Sequence, residues 1–138
     1  MRFLTLSLLF LARISFHLDN VTYWSQGSLV KLPWTYNFPK IQIFGVAISF
    51  TETGSSTCVT LAEGAFGANP TSKDPSRFSI EGQATLVFKN ANRGHNGTYS
   101  LVIALRGGVP QQRSNVKVVI LGEKNLTNFI TYAFKLIL

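Results

Sequence analysis

The sequence predicts an all-β domain built as a two-sheet antiparallel sandwich. Three observations predict it. Apolar residues alternate with period two in several short runs, clusters rich in Gly, Pro and Asn separate those runs, and the helical period is weak beyond the N-terminal segment. Strands connected by turns, without intervening helices, must bury their apolar faces against one another, and a sandwich or barrel does this.

The chain opens on MRFLTLSLLFLARISF, in which Arg2 precedes an apolar stretch from Phe3 to Ala12. That stretch is too short to span a bilayer and has the layout of a secretory signal, so residues 1–16 are expected to direct secretion and 19–121 to form the domain. No small-x-small cleavage pair follows Arg13.

The strands follow in order. SLVKLPWTY sets Val30, Leu32, Trp34 and Tyr36 on one face. KIQIFGVAISF, residues 40–50, is apolar on both parities, which suits a central strand covered on both sides. RFSIEG pairs Phe78 with Ile80, and ATLVFKN pairs Leu86 with Phe88. TYSLVIAL aligns Tyr99, Leu101, Ile103 and Leu105, and SNVKVVIL aligns Val116, Val118 and Ile120. Between them lie TETGSS, GANPTSKDPS, NANRGHNG and RGGVPQQRS, whose residues supply the backbone angles of turns.

Charge and cysteine content narrow the class. The net charge is +7, yet the bases are scattered without a run, which argues against nucleic acid as partner. Cys58 is the only cysteine, so no intrachain disulfide can form; burial as a small hydrophobe is the expectation for it, an interchain bond the alternative. Asn20, Asn96 and Asn125 each begin an Asn-x-Thr acceptor for N-glycosylation, in keeping with a secretory route.

Leu32-Pro33-Trp34, Arg77-Phe78-Ser79-Ile80, Ala84-Thr85-Leu86-Val87-Phe88 and His95-Asn96-Gly97-Thr98-Tyr99-Ser100-Leu101 together resemble strands B, D, E and F of a variable-type (V-set) immunoglobulin domain. The resemblance covers about 19–121, and the style of GQATLVFKN, with Trp34 in strand B, is similar to immunoglobulin-like proteins of cnidarians. It implies that Trp34 and Leu101, 67 residues apart, stand where the family places its inter-sheet cysteines. It also implies that Tyr99 is a tyrosine corner whose hydroxyl bonds backbone upstream. In an alternative register Trp34 is the strand-C tryptophan instead. The expected core is Trp34, Leu101, Tyr99, Leu86 and Phe78. Relatives pair the D-strand arginine with an aspartate at the start of F; here Arg77 faces His95, which supplies no such ion pair, and Asp74 is the nearest substitute acid in sequence.

No Cys/His cluster has metal-ligand spacing and no Gly-rich run opens a helix, so neither an enzyme nor a cofactor site is expected. The resemblance implies a recognition or adhesion domain of the cell surface or extracellular space, binding a protein partner or a second copy. A spacer module, or a binder of glycans or small ligands, is the alternative. Val102, Ala104, Arg106 and Arg113, on strand F and around the loop GGVPQQ, are the candidate contact residues. The tail, 122–138, ends in an apolar stretch about half the length of a membrane span and reads as a truncated anchor or a linker, so that a membrane is expected as partner only through a missing or truncated anchor.

Overall fold

The computed structural model describes residues 20–122 and 130–136. The expected signal segment, and residues 123–129, Asn125 among them, and 137–138 of the tail lie outside them. Among the described residues nine strands form two sheets. In chain order they are β1 (Val21–Ser25), β2 (Val30–Trp34), β3 (Ile43–Glu52), β4 (Cys58–Ala65), β5 (Thr71–Ser72), β6 (Ser79–Glu81), β7 (Ala84–Phe88), β8 (Gly97–Leu105) and β9 (Gln112–Leu121). The larger sheet runs β1-β9-β8-β3-β4-β5 and the smaller β2-β7-β6. Pairing is antiparallel throughout except for β1 beside β9. A short helix covers 130–136, and no described helix is long and apolar enough to cross a membrane.

Alternation explains the core. Val30, Leu32 and Trp34 of β2 point inward while Lys31 and Pro33 point out. Pro33 breaks no ladder bond of consequence because β2 is an edge strand. Across from it, Leu86 and Phe88 of β7 and Tyr99, Leu101 and Ile103 of β8 complete one continuous apolar cluster with Ile43, Val46 and Ile48. Trp34 sits opposite Ala84 in the β2–β7 register, so the bulkiest side chain of the sheet lies beside the smallest. Phe78, just ahead of β6, is buried with them.

Tyr99 holds the base of the sandwich. Its ring stacks on Phe50 at 4.5 Å and on Phe88 at 5.7 Å, and its hydroxyl donates to the His95 carbonyl at 2.9 Å. Burial raises its pKa well above the usual phenol range. Gly97 opens β8 where a Cβ would strike the Thr51 carbonyl, so only glycine lets β8 approach β3 at that point.

Two expectations are corrected. Cys58 is exposed, not buried: it opens β4 on a part of that strand that β5 does not cover. The stretch 40–50 is central in its sheet, flanked by β4 and β8, but it is not covered on both sides. Residues Lys40–Gln42 form a 3-10 turn, and an irregularity between Ile43 and Gly45 shifts the parity, so Ile43, Val46 and Ile48 face the core while Phe44 faces out.

Candidate functional site

One end of the sandwich gathers three loops, 35–42, 66–70 and 106–111, from segments far apart in sequence. Backbone bonds brace them. The Phe66 N–H donates to the Phe44 carbonyl at 2.9 Å, and the Arg106 N–H donates to the Gln42 carbonyl at 2.8 Å. A Cβ on Gly67 would lie 2.7 Å from the Lys40 carbonyl oxygen, so the first two loops are in contact there, and Gly67 has a positive φ of 85° as well.

Apolar side chains crown this brace. Ile41 is 80% exposed, Phe66 69%, Phe44 57% and Val109 48%. The rings of Phe44 and Phe66 meet edge to face at 5.7 Å, and the Arg106 guanidinium lies 5.7 Å from the Phe66 centroid. Phe66 is held at φ 55°, a left-handed conformation that costs an aromatic residue about 1–3 kcal/mol. The conformation belongs to a tight turn in which Phe66 and Gly67 both have positive φ and the Ala68 N–H donates to the Ala65 carbonyl at 3.1 Å, and it leaves the ring largely in solvent. The three loops carry Lys40 and Arg106 and no acid, and Arg113 follows on β9.

From this tip runs the outward face of the larger sheet. Val102 lies between Ala47 and Arg113 in register, and Ala104 beside Gly45. Val102 and Ala104 are half-buried, whereas Arg106 and Arg113 are exposed. The candidate contact residues therefore share one face. Arg113 is on β9, just past the loop that it flanks. Sequence reasoning missed Ile41, Phe44, Phe66 and Val109. The pattern FGANP is a turn signal that places an aromatic residue where turns are usually polar, and it was the available clue.

At the opposite end, His95 stacks on Phe88 at 4.4 Å, and its Nδ1 accepts the Asn92 N–H at 3.0 Å. Burial, and then the nearby Arg77 guanidinium, lower its pKa below 6.5. Arg77 lies over Phe78, and the Asp74 carboxylate accepts from the Ser76 hydroxyl at 2.7 Å. Asn20 is exposed. Asn96 is half-buried, and its side-chain oxygen accepts the Ile120 N–H, tying the start of β8 to β9. Among the described residues no group of three His, Cys, Asp or Glu side chains is placed to hold a metal.

Comparison with solved structures adds the fold's relationships. Tim-4 in complex with phosphatidylserine superposes with a TM-score of 0.60 at 20% identity, over 74% of this chain and 98% of that one. Tim-1 gives 0.59 at 23% identity, over 75% and 92%. A chain from a study of cell-adhesive interactions of VGSC beta subunits gives 0.57 at 16%, over 73% and 90%. The chain folds as a variable-type immunoglobulin sandwich. By sequence, no family model and no curated protein matches it. In the letters of that fold, β2, β7 and β6 are strands B, E and D. The larger sheet carries A′, G, F, C, C′ and C″ in the order given above.

Proposed function

We propose that this is a non-catalytic recognition domain of the extracellular space or cell surface, reaching it by the secretory route, that binds a protein partner through its loop tip and the adjoining outward face. The observation that carries the reading is the braced cluster of Phe44, Phe66 and Arg106, with Ile41 and Val109 exposed beside it. Interface hot spots are commonly an aromatic or arginine side chain desolvated at the centre of a contact. Arg106 lies against Phe66, Lys40 is in the same three loops, which carry no acid, and Arg113 follows on β9. The complementary partner presents an apolar group ringed by carboxylates. Tip-to-tip pairing of two copies would oppose like charges, so a different protein fits better than a second copy.

The apolar start of the chain and its three acceptor sequons support the secretory assignment, and the Trp34 substitution with GQATLVFKN supports kinship with cnidarian-style domains. A second reading is favoured by the same tip: aromatic side chains beside cations also suit an anionic lipid surface, and one structural neighbour was solved with phosphatidylserine.

Fluorescent tetramers of the domain decide among these. Wild type stains cells of the source organism, Phe66→Ala and Arg106→Glu each reduce staining at least tenfold with unchanged circular dichroism, and protease treatment of the cells removes it. Staining that survives protease, together with binding to phosphatidylserine vesicles, assigns the tip to lipid. Equal staining by wild type and both variants overturns the tip as the site, and absence of any staining favours a spacer module.

A further inference from the structure

A second concavity lies at the end of the sandwich away from the loop tip. It has a volume of about 530 Å³ and sits between the turn that leads into β6 and the turn that joins β7 to β8. Arg77, Lys89 and His95 line it, along with Asn90, Asn92 and Ser76, and no acidic residue does. Asp74, next to this wall in sequence, is engaged with the Ser76 hydroxyl and is not part of the lining.

Local structure fixes these groups in place. Asn92 caps the short 3-10 turn Arg93–His95: its side chain accepts the Gly94 N–H at 2.8 Å while the His95 ring accepts the Asn92 N–H. The imidazole is thereby held flat on Phe88. Arg77 rests over Phe78, 5.6 Å from its centroid. Neither of the two ion pairs found among the described residues, Lys31–Glu81 and Lys73–Glu63, involves Arg77 or Lys89. Two cations therefore line one open groove with the amides of Asn90 and Asn92 beside them, and no lining residue supplies a counter-charge.

We infer that this groove, lined by Arg77, Lys89, Asn90, Asn92 and His95, is a binding site for a tetrahedral oxyanion, either free or as the sulfate or phosphate ester of a sugar. An arginine presents a planar fork of donors that matches such oxygens, and a lysine adds a mobile point charge. The volume exceeds what one such ion fills, leaving room for the group that carries it. The nine residues of β8 separate this groove from the loop tip, roughly 26 Å at the usual strand rise. The site is thus independent of the proposed protein contact and stands or falls apart from it.

The test is a titration of the isotopically labelled protein followed by amide and side-chain NMR, with sodium sulfate, sodium phosphate and a heparin-derived disaccharide in separate arms. Saturable shifts confined to residues 76–78 and 89–95 are expected, with Arg77→Gln weakening binding at least tenfold. His95→Asp places a carboxylate in the groove beside Arg77. It should abolish binding while the Tyr99 amide and the unfolding midpoint show an intact fold. Tighter binding of the disaccharide assigns the site to a sulfated glycan, and equal affinities assign it to a free oxyanion. Shifts scattered over Lys31, Lys40 and Arg113 as well, or affinity unchanged in both variants, overturn the proposal.

Discussion

His95 shows how much a single substitution changes at the residue scale. An acid at this position would have answered Arg77. The imidazole instead turns onto Phe88 and uses Nδ1 to accept the Asn92 N–H. That bond requires the unprotonated nitrogen, and burial and Arg77 both oppose the proton, so the folded pKa lies below 6.5. Other neighbours of the ring, Phe78 and Phe88, are uncharged. The sign follows from linkage: as pH falls below 6.5 the unfolded chain takes up the proton before the folded one does, so stability declines through that window and levels off below the folded pKa. Urea midpoints measured from pH 7.5 down to about 5.5, above the range in which carboxylates titrate, should therefore fall. His95→Gln should flatten the slope. A midpoint that rises on acidification would contradict the assignment.

Among the elements, the start of β8 binds the two halves of the larger sheet together. Gly97 admits the Thr51 carbonyl on one side, and on the other the Asn96 side chain accepts the Ile120 N–H of β9. Asn96→Ala leaves that N–H without its partner, at a cost of about 1–3 kcal/mol. The same change removes a glycosylation sequon, so the comparison is with Thr98→Ala, which removes the sequon and keeps the amide. In protein made without glycosylation, denaturant unfolding should show Asn96→Ala destabilised and Thr98→Ala close to wild type; equal losses would mean that the bond to β9 contributes nothing. The elements also mark what the residues disclosed. Strands β2 and β9 were legible because their buried residues alternate, and β7 and β8 because Leu86 and Phe88, and Tyr99, Leu101 and Ile103, recur at every second position, although Val87 and Ser100 between them are buried as well. Strand β1 was not, since its buried residue is Thr22, a polar side chain satisfied by the Trp24 ring N–H. Strand β4 was hidden by the adjacent buried pair Leu61 and Ala62, which breaks the period. The loop tip was illegible for a different reason: Phe44, Phe66 and Arg106 come together only through the fold, and a parity shift within β3 decides that Phe44 faces water.

For the whole molecule, the question is what joins two sheets that antibody domains tie with a disulfide. A disulfide closing a loop of 67 residues would stabilise by roughly 4 kcal/mol, chiefly by restricting the unfolded chain. Burial of one aromatic side chain removes roughly 150–250 Å² from water, worth about 4–6 kcal/mol as an upper bound. Trp34, 9% exposed, and Leu101, 3% exposed, belong to the same core cluster, and Ala84 beside Trp34 makes room for the indole. The magnitudes are comparable, but the mechanisms differ, and the difference is measurable. Because Cys58 is the lone cysteine and lies on the surface, a reducing agent can affect only bonds between molecules. Unfolding of the monomer should therefore be cooperative, with the same midpoint with and without dithiothreitol. Trp34→Ala should lower stability by about 3–5 kcal/mol on urea unfolding, as expected when a large aromatic leaves a cavity in a close-packed interior. A loss under about 1 kcal/mol, small on the scale of such truncations, would show that the indole is not what holds the sheets together. A midpoint that drops on reduction would show that the purified protein had been stabilised by a bond between copies through Cys58.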